Sequence, residues 1–206
     1  MKEEYSKNME DKILEVAKTL FIKQGFDKTT TGQIASIAGC NQALVHYYYR
    51  TKDNLFERII EKRLKDSLPV ILLCFEVSGT FEEKINNLIN SHFDFLLENF
   101  DFIHFVYKEA TSDLGRLIKL IGKNVNFPID IILQLDKELK EEIKKGNILE
   151  ISVMELLITI ATLNGGFFLT LPIIRKILNY SDEQIDVLVK ERKKEITQTI
   201  FARLKP

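Results

Sequence analysis

The spacing of apolar residues restricts the fold of this chain more than any other feature of its sequence. These residues recur every three or four positions along most of the chain, which is the period of an α-helix, and the period-2 alternation of a half-buried strand is absent. The chain has 206 residues, of which 45% are hydrophobic, so it can bury a sizeable core. We therefore predict an all-α protein of one or two domains.

Capping residues mark the first two helices. A helix over residues 8–24 is followed by Gly25, which can supply the left-handed backbone found at helix C-termini. Thr30 and Gln33 have the spacing of a capping box, in which each side chain binds the other residue's backbone N–H. They are predicted to open a short second helix that ends at Gly39.

The third and fourth helices also begin at capping residues. Asn41 is a favourable N-cap for a helix that starts at Gln42, and Thr51 is one for the helix after it. The fourth helix is predicted to span residues 53–66 and to stop before Pro69, because proline disfavours helical backbone in the residue that precedes it.

Long amphipathic helices account for the rest of the chain. Ser181 opens the last of them with a second capping box, and a proline within one long segment predicts either an interrupted helix or two helices. The predicted helices cover residues 81–98, 100–112, 114–145 with the interruption near Pro128, 153–178 and 182–204.

Charge is distributed unevenly, although the net charge of the chain is only −1. The segment 28–52 contains three basic residues, Lys28, Arg50 and Lys52, and no carboxylate, in a chain with 30 acidic residues. A surface without carboxylates is suited to an anionic partner such as nucleic acid.

Two short helices in that segment are joined by a tight turn at Gly39. This is the spacing of a helix-turn-helix, in which the second helix enters the DNA major groove with its N-terminus first. Gln42, early in the second helix, can pair with adenine, whereas Ala43 and Leu44 can contact a thymine methyl group. We therefore predict that this helix reads base edges.

Three consecutive tyrosines, at 47–49, follow in the same helix. Successive residues turn by about 100° around a helix, so the three rings cannot share one environment. We predict that Tyr47 reaches DNA and that Tyr49 packs into the core. Free backbone N–H groups where helices begin, near Thr31 and Lys52, are predicted to bind phosphates.

The run TTTGQIASIAGCNQALVHYYYRTKDNLFERI, which begins at Thr29, resembles the DNA-binding domain of the TetR family of bacterial repressors. The shared order is a long first helix, a threonine-rich entry, an Ile-Ala…Ala-Gly turn, an aromatic cluster, and a basic residue, Ser/Thr and Lys before a Leu-Phe helix. The resemblance is close over about residues 8–60. Leu44 stands where a small or hydroxylated residue is common, and His46 where tyrosine is common, so both departures concern the operator sequence.

The resemblance implies a three-helix helix-turn-helix domain over residues 1–52 and a larger helical domain for ligand binding and dimerisation over 53–206. Such a regulator binds a palindromic double-stranded operator as a homodimer and releases it when a small apolar ligand binds. The implied phosphate contacts are Thr30, Thr31 and Lys52; the base contacts are Gln42, Ala43 and Leu44; and His46, Tyr47 and Tyr48 contact phosphate or base edges.

Aromatic residues are dense between Phe75 and Tyr107, where they indicate either ordinary core or an apolar pocket. His92 lies on the apolar face of its helix and is either a core histidine or a polar anchor for a ligand. The predicted pocket residues are Phe81, Ile85, Leu88, His92, Phe102, Ile103 and Val106.

The segment from Leu156 to Ile174 is 19 residues long and has no charge, which is long enough to cross a membrane. Its threonines, Asn164 and the Gly165-Gly166 pair favour instead a helix of a soluble protein that is buried on nearly all sides. We predict no membrane contact and a four-helix dimer interface built with the last helix. The predicted interface residues are Leu156, Ile160, Gly165, Phe167, Ile185, Leu188, Val189, Ile196 and Ile200.

No arrangement of residues typical of an enzyme is present. The three histidines lack metal-ligand spacing, so neither a metal nor a cofactor is predicted. Asp94, Glu98 and Glu109 are interpreted as solvated carboxylates. Cys40 and Cys74 do not form a CxxC motif, which fits a reducing compartment, and we expect a cytoplasmic protein.

Two other classes remain open. The first is a helical protein-interaction module with a vestigial helix-turn-helix, which the carboxylate-free segment argues against. The second is a helical enzyme with a hidden active site, which has no candidate nucleophile or metal set.

Overall fold

The computed structural model describes residues 2–73, 79–124 and 129–206, and the prediction of an all-α protein is confirmed over these ranges. They contain ten helices and no strand: α1 Lys2–Gln24, α2 Thr31–Ala38, α3 Gln42–Tyr49, α4 Lys52–Leu73, α5 Phe81–Glu98, α6 Phe100–Ser112, α7 Leu114–Asn124, α8 Ile129–Lys144, α9 Val153–Leu178 and α10 Asp182–Leu204.

Most helix boundaries follow the predicted capping residues. Both predicted capping boxes are formed, at Thr30 and at Ser181, and Asn41 caps α3 through its side chain. Gly25 and Gly39 have φ of 88° and 74°, the left-handed backbone that ends a helix. The segment near Pro128 resolves into two helices, α7 and α8, although Pro128 itself lies outside the described residues.

Two predicted boundaries are wrong. Helix α1 begins at Lys2 rather than at residue 8. Helix α4 continues through Pro69 to Leu73 instead of stopping before the proline. A proline inside a helix removes one backbone hydrogen bond, but the turns before and after it can remain paired. The same holds in α9, which continues past Pro172.

The chain divides into two compact units. The first comprises Met1–Asp66 and Asp101–Asn126, and the second comprises Ser67–Phe100 and Phe127–Pro206. This division differs from the predicted boundary after residue 52. The reason is packing: the start of α4 and the aromatic face of α6 join the same apolar core as the first three helices.

Aromatic rings form the centre of the first unit. Phe21, Phe26 and Phe56 contact one another with ring centres 5.0–5.7 Å apart, and Phe105 of α6 lies 5.5 Å from Phe56. All four rings are buried. The helix-turn-helix is therefore supported by one continuous aromatic core that includes α4 and α6.

The second unit is built on α5 and α9, with α8 and α10 packed against them. Phe93 of α5 lies 4.8 Å from Phe168 and 5.9 Å from Phe167 of α9, measured between ring centres. Asp94 is exposed, as predicted, and an ion pair of 2.7 Å between it and Lys193 joins α10 to α5.

Helix α9 is not buried on nearly all sides, which corrects the prediction. Only 28% of its most apolar window, with mean hydropathy 1.8, is buried, and by length and composition the helix is one that could cross a membrane. The helix buries one side against α5, α8 and α10 and presents the other to solvent. The exposed apolar residues on it are Met154, Ile158, Ile173, Ile177 and Leu178.

Candidate nucleic-acid interface

The helix-turn-helix is formed by α2, a three-residue turn and α3. Gly39 and Cys40 donate backbone hydrogen bonds to Ser36 and Ala35, of 3.3 and 3.0 Å, which close the end of α2. Asn41 then caps α3 by accepting a 2.9 Å hydrogen bond from the backbone N–H of Leu44. The turn between the two helices is therefore held by local hydrogen bonds.

One face of α3 is anchored and the other is open. Val45 and Tyr49 are buried, Leu44 and Tyr48 are half-buried, and the remaining residues of the helix are exposed. The exposed set contains four of the residues predicted to meet DNA: Gln42, Ala43, His46 and Tyr47. Leu44, predicted to read a base, lies on the flank of the open face.

The three tyrosines have different environments, as expected from helical geometry. Tyr49 is buried, and its hydroxyl donates a 3.0 Å hydrogen bond to the backbone carbonyl of Glu10. Burial, with the carboxylates of Glu10 and Asp11, raises the pKa of Tyr49 well above its usual range. Tyr47 is 78% exposed and lies edge-on to Tyr48, with ring centres 5.3 Å apart.

The N-termini of α2 and α3 carry no acidic residue in their first turns. Their partial positive charge is therefore not offset locally, which favours an anion such as phosphate. Thr30 is exposed, and Thr31 is half-buried. Helix α4 differs, because Asp53 lies in its first turn and offsets part of that charge.

Lys52 is tied to the protein. Its ammonium donates 3.0 Å hydrogen bonds to the carbonyls of Phe26 and Thr29 and lies 4.1 Å from the centre of the Phe26 ring. These contacts hold the loop between α1 and α2 against the start of α4. An ammonium has three N–H donors, so one remains for a phosphate.

A buried ion pair beside the same loop was missed from the sequence. Glu109 is 3% exposed and binds the guanidinium of Arg116, which also lies over the rings of Phe26 and Phe56. The interpretation of Glu109 as a solvated carboxylate is therefore wrong. Its partner lies seven positions along the chain in another helix, a spacing that no single-helix pattern reveals.

The predicted pocket residues fall in both compact units. Phe102 is part of the first unit's core and Val106 packs against it, whereas Ile103 is half-buried in the same unit. Phe81, Ile85 and Leu88 are buried, and His92 is half-buried, in the second unit. A single pocket lined by both sets stays a prediction.

A surface cavity of about 420 Å³ lies in the second unit, and of the predicted pocket residues only Phe81 lines it. Its other lining residues are Thr80, Glu82, Glu142, Asn147, Ile148, Phe201, Leu204 and Lys205.

His92 is paired with Asn164, a residue that the sequence analysis used only as evidence against a membrane span. The Asn164 amide nitrogen donates to the Ile89 carbonyl at 3.0 Å and lies 3.1 Å from Nδ1 of His92. Burial lowers the pKa of His92 to about 4, so the ring is neutral at pH 7. Asn164 is fully buried, and its Oδ1 has no hydrogen-bond partner among the described residues.

The predicted dimer residues are mostly core residues of the single chain. Six are at most 8% exposed and cannot supply the exposed surface that a dimer buries, which corrects that part of the prediction: Leu156, Ile160, Phe167, Val189, Ile196 and Ile200. Gly165, Ile185 and Leu188 are half-buried. Amphipathic periodicity identified the apolar positions, but it could not tell which face turns towards the subunit's own core.

Three features define the class of helix-turn-helix DNA-binding domains. They are a second helix with one exposed face, a short capped helix before it, and two helix N-termini without an acidic residue in their first turns. Residues 13–59 match the family model of bacterial regulatory proteins, tetR family. Over these residues the chain is similar to the TetR family, and the relatives it matches are transcriptional regulators rather than enzymes.

Two curated relatives are regulators from Staphylococcus aureus. The chain is 47% identical over 53 residues to the HTH-type transcriptional regulator QacR, a match covering 26% of this chain and 28% of QacR. It is 25% identical over 144 residues to IcaR, the HTH-type negative transcriptional regulator of the biofilm operon icaADBC, covering 66% of this chain and 68% of IcaR. The stronger match therefore covers only about a quarter of each chain.

The fold of the whole chain also has solved counterparts. A protein from Saccharomonospora viridis, solved in complex with choline, superimposes with a TM-score of 0.68 over 97% of this chain and 99% of that one, at 15% identity. At this identity the likeness concerns the fold alone.

Proposed function

We propose that this protein is a cytoplasmic transcriptional repressor that binds a palindromic DNA operator as a homodimer and releases it when a small ligand binds. One observation carries the DNA-binding part: the open face of α3 lies in a 25-residue segment that contains no carboxylate. Nothing in that segment repels the phosphate backbone as the helix enters the major groove.

The proposed DNA contacts divide into two kinds. Gln42, Ala43 and Leu44 would meet base edges, because they occupy the N-terminal turn of α3. Thr30, Thr31, His46, Tyr47, Tyr48 and Lys52 would position the domain on the backbone, with His46, Tyr47 and Tyr48 also close to base edges. Tyr47 is 78% exposed, so burial in the core does not explain an aromatic ring at this position. This supports a contact outside the chain.

A homodimer through α9 is supported by the regular spacing of its exposed residues. Met154 and Ile158 are one helical turn apart, as are Ile173 and Ile177, so each pair forms an apolar stripe on the exposed side of α9. Gly165 and Gly166 lie between the two pairs along the helix, and an added Cβ on either would meet nothing within 4 Å. The subunit's own packing therefore does not require these glycines, whereas close approach of a partner helix would.

The ligand proposal rests on the His92–Asn164 pair. A neutral histidine beside a fully buried amide whose oxygen has no partner among the described residues is unusual, and the same two helices, α5 and α9, also carry the ring contacts of Phe93 with Phe167 and Phe168. A mostly apolar ligand with one hydrogen-bonding group would suit this environment. The choline complex of the Saccharomonospora viridis protein supports small-molecule binding in this fold but does not name the ligand here.

Selection from a random pool of double-stranded DNA tests the proposed function. We expect enrichment of an inverted repeat whose half-sites lie about 34–36 Å apart, one turn of DNA, or a multiple of it. Gln42→Ala should lose sequence preference while keeping non-specific binding, and Gln198→Ala, at an exposed glutamine of α10, serves as the matched control. Failure to bind any DNA at low salt would favour a protein-interaction module instead.

Linkage provides the test of ligand response. Hydrophobic compounds that raise the melting temperature are titrated with and without saturating operator. If a ligand weakens operator binding by some factor, the operator must weaken the binding of that ligand by the same factor. A ligand whose affinity is unchanged by operator is not the effector, and a normal response in His92→Phe would remove His92 from its site.

A further inference from the structure

The amide nitrogen of Gln42 faces two groups of the protein. Its Nε2 donates a 2.7 Å hydrogen bond to the hydroxyl oxygen of Thr31 at the start of α2. The same nitrogen lies 3.5 Å from Nε2 of His46, one turn further along α3. This second contact is long. Which of the two nitrogens donates in it depends on where His46 carries its proton.

The proton on His46 is assigned by Arg50. Nδ1 of His46 lies 2.8 Å from the backbone carbonyl oxygen of Arg50, which can only accept, so Nδ1 carries the hydrogen. In the neutral imidazole Nε2 is then the acceptor. Nε2 of His46 can accept a hydrogen bond from the NH₂ group of Gln42, whereas it would repel the amide oxygen. The imidazole therefore fixes the orientation of the Gln42 amide.

Only the oxygen of the Gln42 amide is left for another partner. No donor among the described residues binds Oε1, and the side chain is exposed. The neighbouring position is Gly32, where an added Cβ would lie 3.8 Å from Oε1, so no side chain covers the oxygen on that side.

We infer that Gln42 acts in DNA recognition as a hydrogen-bond acceptor alone, with His46 and Thr31 as the positioning residues that hold it so. This inference rests on the proposed function and refines it. In the major groove the amino donors are N4 of cytosine and N6 of adenine. Gln42 therefore selects cytosine or adenine at its position and disfavours guanine and thymine, without the two-bond adenine pairing that a freely rotating glutamine makes.

The experiment uses full-length protein and the sites enriched from random DNA. The position that Gln42 reads is the one at which Gln42→Ala loses its preference. At that position we expect the wild type to favour cytosine or adenine over guanine and thymine by about 5- to 150-fold, the range of a good base contact.

Two variants free the amide and one preserves its acceptor. His46→Phe removes Nε2, and Thr31→Val removes the hydroxyl with little change of shape, so each should reduce the base discrimination to a few-fold or less. Gln42→Glu supplies acceptors only, so it should keep the cytosine or adenine preference while binding all DNA more weakly. Tyr47→Phe is the control, expected to weaken all sequences without changing the ratio between bases.

The outcomes separate the two proposals. If the wild type enriches no DNA, the proposed function fails. If it enriches DNA but prefers guanine or thymine at this position, the acceptor role is wrong. The acceptor role is equally overturned if folded His46→Phe and Thr31→Val both keep the wild-type discrimination, or if Gln42→Glu binds DNA without any base preference.

Discussion

The guanidinium carbon of Arg116 lies 4.1 Å from the centre of the Phe26 ring. Phe26 belongs to the loop that leads into the helix-turn-helix, and Arg116 belongs to α7, some 90 residues later in the chain. The guanidinium also binds Glu109, which is almost fully buried. This contact joins α6 and α7 to the unit that carries α3.

Arg116→Met is expected to destabilise the protein by about 3–5 kcal/mol, because it leaves Glu109 buried without a partner. Adding Glu109→Gln should recover part of the loss, since the uncompensated charge is then removed. Urea unfolding measures both changes. Arg58→Met is the control, because the Arg58–Glu61 pair is exposed and should cost less than about 1 kcal/mol. Equal losses in the two single variants would contradict the structural role of Arg116.

Lys52→Met is expected to have two separate effects. It removes hydrogen bonds from a charged donor to two carbonyls, so the free energy of unfolding should fall by about 1.5–3 kcal/mol. It should also reduce the slope of log affinity against log salt by about 1 on every DNA sequence, because one phosphate contact is lost. Lys28→Met, at an exposed position in the same segment, is expected to leave stability unchanged. An unchanged salt slope in Lys52→Met would mean that Lys52 has only a structural role.

Gly166→Phe is expected to produce a folded monomer. An added Cβ at Gly166 meets nothing within 4 Å in the subunit, so a ring there should be tolerated by the fold while blocking the approach of a partner helix. Analytical ultracentrifugation gives the mass, and circular dichroism gives the helix content. Gly166→Ala is the graded comparison: its single methyl group should weaken the dimer less than the ring does, and the subunit stays folded because alanine is the better helix former. A wild type that is monomeric at micromolar concentration would rule out the dimer.

His92 is expected to make stability depend on pH between about 6.5 and 4. Burial lowers its pKa from 6.5 to about 4, so the unfolded chain takes up a proton first as pH falls. Its contribution to stability is therefore complete above pH 6.5 and declines by about 3 kcal/mol as pH decreases to 4. Below that pH the folded protein is protonated as well, and the loss stops.

The measurement is urea unfolding from pH 4 to 8, compared between the wild type and His92→Phe, which should lack this component of the pH dependence. His46→Asn is the control, because His46 is exposed. An NMR titration in which His92 changes protonation near 6.5 in the folded protein would contradict the expectation.

Several features could be read from the sequence because neighbouring residues cause them. The capping boxes at Thr30 and Ser181 each depend on residues three positions apart, and the left-handed backbone at Gly25 and Gly39 depends on the absence of a side chain. The same locality explains the distinct environments of Tyr47 and Tyr49, since the helical turn alone separates their directions. The helix-turn-helix and the family resemblance follow from such short-range patterns.

Contacts between residues distant in sequence were decided only by tertiary structure. Periodicity identified α9 as apolar, but which side faces α5 and which meets solvent depends on how whole helices pack. Lys52 and Glu109 looked like surface charges because burial of a charge requires a partner that the local sequence does not name. The sequence by itself determined where the helices start, stop and carry apolar faces, since propensity and capping act within a few residues. Only the tertiary structure decided which charges are buried and which apolar stripe stays open, because those depend on groups that meet solely when the chain is folded.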